Sequence, residues 1–151
     1  MIPRTIEVEI RRVMPASRQR VFDAWKEPEF LRHWWGSWGN YAFARATVDF
    51  RVGGRYEFSM SVRNKDIIRT SYGEYLEIID PERLIFTWSW THDETPMNSL
   101  ITLDFRELGP SETELVLRHE RIPDTEEGRK HEEGWKVVVG RLGDYLAQDQ
   151  Q

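Results

Sequence analysis

From Tyr41 to Arg121 the chain alternates apolar and polar residues in run after run, and only one long helix-like segment follows to cover what those runs would bury. Tyr56, Phe58, Met60 and Val62 alternate with polar neighbours, and Leu84, Phe86, Trp88 and Trp90 share one parity. Ile101, Leu103 and Phe105 repeat the pattern, as do Leu115, Leu117 and His119. Period two is the mark of a strand with one buried face. Gly53-Gly54 reads as a two-residue hairpin, and Asn64 to Asp66, "DPER" at residues 80–83 and "LGPSET" supply the other turns. Strands joined by such short turns form an antiparallel meander.

Before this β region, Ile6, Val8 and Ile10 alternate with charged residues as a first strand. The period then changes. In "PASRQRVFDAW", Ser17 is placed to cap a helix whose one face carries Val21, Phe22 and Trp25. "EPEFLRHWWG" restarts at Pro28, a residue suited to a first helical position, and stops at Gly36, presenting Phe30, Leu31, Trp34 and Trp35. The expected order is one strand, two short helices, six strands and a long terminal helix. The fold class is α+β.

The terminal helix is expected over residues 126–148. His131, Trp135, Val138, Leu142 and Tyr145 fall on one stripe, which Val139 and Leu146 widen. A stripe this broad suits a helix laid across a sheet. Gly134, Gly140 and Gly143 interrupt it, at up to about 1 kcal/mol each relative to alanine. They either let the helix approach bulky rings, leave room for a ligand, or sit on the solvent face.

Composition narrows the function. The net charge of -5 argues against general nucleic-acid binding, which depends on neutralising phosphates. With no cysteine, disulfides, thiol nucleophiles and thiolate metal sites are excluded. The start of the chain lacks the apolar block of a signal peptide, and no apolar run has the length of a membrane helix, so a cytoplasmic location is the expectation. Seven tryptophans in 151 residues exceed what a small core needs and favour an aromatic core or a lined pocket.

"RVFDAWKEPEFLRHWWG", "VDFRVGGRYEF", "GEYLEIIDPERLIFTWSW" and "HEEGWKVVVGRLGDYL" occur in that order, and together they resemble bacterial members of a known family. It is the one named for the C-terminal domain of the activator of the ninety-kilodalton heat-shock chaperone ATPase. That family lies within the SRPBCC superfamily, also called START-like or Bet v 1-like (after the birch-pollen allergen). The match spans roughly residues 5–147. The resemblance implies a helix-grip fold over residues 1–151: a curved seven-stranded antiparallel sheet around the terminal helix, often with a hydrophobic cavity between them. No cofactor is expected. The eukaryotic activator engages its chaperone through a separate N-terminal domain, whereas here the first strand begins almost at residue 1.

The expected cavity lining is Trp34, Trp38, Tyr56, Phe58, Met60, Tyr72, Glu74, Trp88, Trp90, Leu103, Phe105, Leu117, His119, Trp135, Val138, Val139 and Leu142. By strand parity His119 points toward the helix, and Glu74 shares parity with Tyr72, Leu76 and Ile78 unless Gly73 marks a bulge. A histidine and a carboxylate in an apolar pocket would serve as acid and base or hold a polar ligand group. The plainer alternative is that His119 bonds locally and Glu74 faces water. His33, His92, His119 and His131 show no ligand spacing, and no metal is expected.

Three functions follow. The leading one is a binding protein for a small apolar or amphipathic molecule, lipid- or polyketide-like. The second is a protein-interaction module, for a chaperone or another partner, with an exposed patch around Trp34, Trp35 and Trp38. The third is a cyclase- or hydrolase-like enzyme using His119. Monomer and homodimer are both compatible with the sequence.

Overall fold

In the computed structural model of the protein, which describes residues 4–36 and 40–148, one sheet of seven strands runs in the order β1-β7-β6-β5-β4-β3-β2. The strands are β1 (Thr5–Met14), β2 (Tyr41–Val48), β3 (Arg55–Val62), β4 (Ile68–Ile79), β5 (Arg83–Trp90), β6 (Ser99–Gly109) and β7 (Glu112–Pro123). Every neighbouring pair is antiparallel. The curved sheet grips a long helix, as expected.

Helices α1 (Arg18–Asp23) and α2 (Pro28–Leu31) separate β1 from β2. Ser17 Oγ accepts the N–H of Arg20, so the expected cap forms, and Val21, Phe22 and Trp25 are buried. Pro28 opens α2. Gly36 then takes φ +79°, a left-handed conformation that favours glycine, and ends the run. Helix α3 (Glu126–Gln148) buries Trp135, Val138, Val139, Leu142 and Leu146 against the sheet.

The glycines of α3 are resolved by what lies beneath them. A Cβ on Gly140 would stand 3.2 Å from Arg12 Nη1, and one on Gly143 would stand 3.5 Å from Arg12 Nε and 3.6 Å from Met14 Sδ. The Arg12 side chain of β1 therefore runs across the helix at these two positions, which face β1 and not open solvent. Gly134 is buried and borders the cleft described below.

Two local expectations give way. Gly53-Gly54 is not a two-residue hairpin, because β2 ends at Val48 and β3 begins at Arg55. The intervening segment folds onto β4 instead, where Gly53 N–H donates to Tyr75 O and Tyr75 N–H donates to Gly54 O. Within that segment Arg51 and Asp49 pair at 3.0 Å, but both are largely exposed and the pair contributes little.

The second correction concerns β4. Tyr72 lies opposite Glu57 and Ser89, and Glu74 lies opposite Arg55. Residues opposed across an antiparallel ladder project to the same face. Tyr72 and Glu74 thus share the outer face with Glu57, while Arg69, Ser71, Gly73 and Tyr75 share the inner face with Met60, Phe58, Tyr56 and Phe86. Leu76 is 46% exposed. A register shift between Tyr75 and Glu77 then returns Ile78 to the core side. Gly73 has a specific purpose here: any Cβ would collide with Thr87 O, the same carbonyl that accepts the Tyr56 hydroxyl at 2.6 Å. Thr87 Oγ1 in turn accepts Glu74 N–H at 2.9 Å, so the displaced ladder bond is replaced.

Candidate functional site

Between the tips of β3–β5 and the first turns of α3 is a cleft of about 480 Å³, within the usual range for ligand pockets. Its apolar wall is made by Trp35, Tyr41, Met60, Trp88, Trp90, Met97, Trp135 and Val138. Gly36 and Gly134 lie in the wall, and Arg69, His92, Asp93, Glu127, Lys130 and His131 bring polar groups to it. The mouth is marked by Glu127 and Lys130, whose side chains are 81% and 62% exposed.

The rings come together because β5 presents Trp88 and Trp90 on one face and α3 presents His131 and Trp135 one turn apart. Trp88 and Trp135 have centroids 5.1 Å apart, Trp88 and Trp90 5.3 Å, and Trp35 lies 5.7 Å from both Trp88 and Trp135. These are favourable edge-on and tilted separations. The indole N–H groups of Trp35 and Trp88 meet no acceptor among the described residues.

Two indole–imidazole bonds hold the wall. Trp90 Nε1 donates to His131 Nε2 at 3.0 Å, and Trp135 Nε1 donates to His119 Nδ1 at 2.9 Å. Each bond fixes a tautomer. His131 must carry its proton on Nδ1, which then donates to Gly128 O at 3.0 Å. His119 must carry its proton on Nε2, which donates to Ser99 Oγ at 2.7 Å, and that hydroxyl donates to Trp88 O at 2.7 Å. Both imidazoles are neutral and fully engaged. Burial, the largest cause, pushes the His119 pKa well below its ordinary value, with the nearby His131 adding to it. Burial also lowers His131, against opposing hydrogen bonds to the backbone of Gly128 and Glu127.

His119 therefore corrects the expectation attached to it. It is fully buried, lies behind Trp88 and Trp135, and is not part of the cleft lining. With both ring nitrogens occupied it has no lone pair with which to take a substrate proton, and its partner in the proposed acid–base pair, Glu74, is on the other side of the sheet. It braces the wall.

Of the expected lining, Met60, Trp88, Trp90, Trp135 and Val138 border the cleft. Tyr56, Phe58, Leu103, Phe105, Leu117, Val139 and Leu142 are packed into the core beside it. Trp34 is fully buried behind it, with its N–H donated to Ala24 O at 3.2 Å. Tyr72 and Glu74 are on the outer face, and Trp38 lies outside the described residues. Of the exposed patch expected around Trp34, Trp35 and Trp38, the first two are buried, at 0% and 4% exposed, and Trp38 lies outside the described residues. Arg69, Met97, Lys130 and Gly36 were not foreseen. Arg69 has a usable signal in the inner-face parity it shares with Ser71 and Tyr75, but hydrophobicity on β4 points to the opposite parity. No group of acidic or histidine side chains suited to a metal occurs among the described residues, and no described helix is long and apolar enough to cross a membrane.

A seven-stranded sheet gripping a C-terminal helix, with a ring-lined cleft where the two meet, defines a START-like helix-grip protein. The match of residues 15–147 to the family model "Activator of Hsp90 ATPase homolog 1-like protein" goes further, and the chain belongs to that family. Similar solved structures include a Chromobacterium violaceum protein at 24% identity, covering 93% of this chain and 96% of that one, with a TM-score of 0.83. A putative uncharacterized protein from Rhizobium leguminosarum is 23% identical over 98% of each chain, at 0.80. An AHSA1-like protein from Aeromonas hydrophila is 18% identical, covering 95% and 93%, at 0.77. At these identities the likeness is one of fold. No curated protein sequence matches the chain. Proteins with this fold commonly bind hydrophobic ligands.

Proposed function

We propose that residues 1–151 act as one binding domain that takes up a small apolar or amphipathic molecule in the cleft between the sheet and the start of α3. The observation that carries this reading is the cleft itself: about 480 Å³ bounded by Trp35, Trp88, Trp90 and Trp135. Such surface is costly to leave facing water, at roughly 25 cal/mol per Å². The wall is also braced by two hydrogen-bonded histidines, His119 behind it and His131 at its edge, so it need not collapse when empty. Preorganised walls of this kind lower the cost of binding.

The test is a thermal-shift screen of fatty acids, aromatic polyketides and detergents, paired with native mass spectrometry of protein purified from its host. A ligand at one hundred times its Kd should raise stability by about 2.7 kcal/mol. Val138→Trp, which places an indole in the cleft, should abolish the shift while the protein stays folded. Absence of any shift across the screen, together with no copurified molecule, would remove this reading.

A further inference from the structure

An apolar guest explains the rings of the cleft but not Arg69. Its Cα is opposite Met60 in the β3–β4 ladder, so both side chains project to the inner face, where Met60 is only 4% exposed. Arg69 is itself half-buried and borders the cleft. Of the other charged groups there, Lys130 is paired with Glu127. Glu127 Oε1 lies 3.2 Å from Lys130 Nζ, and Asp93 Oδ1 lies 3.8 Å from His92 Nε2. Arg69 has no ion pair or side-chain hydrogen bond to any described residue, and Asp93 meets only an imidazole that burial keeps neutral. A guanidinium partly withdrawn from water, with five N–H donors in a planar fork, is stabilised by an anion that can meet it edge to edge. Its charge is felt across the mouth: burial first, and then Arg69, lower the pKa of His92.

We propose that Arg69 binds the anionic end of the guest, and that the guest is a monocarboxylate with an aromatic or aliphatic body. One guanidinium matches one carboxylate in a bidentate pair. A phosphate dianion is disfavoured because Asp93 and Glu127 stand at the same rim. The body lies against Trp88, Trp90 and Trp135 while the carboxylate points toward β4. This assignment rests on the cleft being a binding site.

The experiment is calorimetric titration at pH 7.5 with matched acids and amides: phenylacetate and phenylacetamide, 2-naphthylacetate and its amide, octanoate and octanamide. For at least one pair the acid should bind the wild-type protein about ten- to one-hundredfold more tightly than the amide. Arg69→Gln should bring the acid to the level of the amide without weakening the amide. Arg69→Lys, keeping charge but not the fork, should recover only part of the difference. An unchanged melting temperature would show that the variants fold. If acid and amide bind alike, or if Arg69→Gln weakens both equally, the carboxylate assignment is overturned while the cleft stands as a binding site. If no compound of any pair binds, the cleft reading falls and takes this assignment with it.

Discussion

At the end of the interior nearest α1, Phe22 meets Phe105 and Phe50 edge-on with centroids 5.2 and 5.9 Å apart, and Phe50 meets Tyr75 at 5.1 Å. At the opposite end Trp88 approaches Trp90 and Trp135 just as closely, yet the three border an open cleft. Ring size and spacing do not separate the two ends. What separates them is a third layer. Phe22 descends from α1 and Phe50 from the segment between β2 and β3, so the first end is plugged between sheet and helix. At the second end Trp90 and Trp135 are instead held by imidazole acceptors behind or beside them. A core closes where the extra element fills the gap, as Phe22 and Phe50 do, whereas Trp35 at the other end adds only one wall. The core stays open where polar bonds hold the rings in position.

The comparison can be broken first by truncation. Phe22→Ala should cost about 3–5 kcal/mol in a denaturant titration, as expected for a fully buried ring whose space cannot collapse. Trp90→Ala, at the half-buried lip of the cleft, should cost clearly less, about 1–2 kcal/mol. Equal losses would mean that the two ends are packed alike.

A smaller loss should follow acidification. His119 and His131 have folded-state pKa values below the ordinary histidine value. As pH falls through about 6.5 the unfolded chain takes up protons that the folded chain resists. Stability is therefore fully present above that pH and declines below it, until the folded histidines themselves titrate. Melting temperatures at pH 7.5 and pH 5 should show the fall. Indole hydrogen exchange should rise at Trp90 and Trp135 before backbone amide exchange rises at Phe22 and Phe105.

The smallest effect is a gain. Gly143→Ala places its Cβ at ordinary contact distance from Arg12 and Met14, so the recovered helix propensity should add up to about 1 kcal/mol. Gly128→Ala is the control of opposite sign, because its Cβ would strike Pro123 O.

The strands and their order along the chain were legible because alternation on β3, β5, β6 and β7 puts large apolar residues on a single parity, and α3 because its apolar residues recur at helical spacing. On β4 the signal inverted. Its inner face carries Ser71, opposite Phe58 and Trp90, and Gly73, kept bare by Thr87 O, while Tyr72 and Leu76 decorate the outside. Hydrophobicity alone therefore chose the wrong face, and Glu74 went with it. His119 was placed on the correct face, but its bonds to Trp135 and Ser99 depend on register between elements far apart in sequence. The filled half of the interior could not be told from the open half, because both are written in the same residues. Only the reach of α1 and Phe50 decides between them.

The bond from Trp90 to His131 joins the last residue of β5 to the second turn of α3 across the cleft mouth. Aperture width and helix position are consequently one mechanical variable. A guest too thick for the entrance must either part that indole from its imidazole or slide the whole N-terminal stretch of the helix outward.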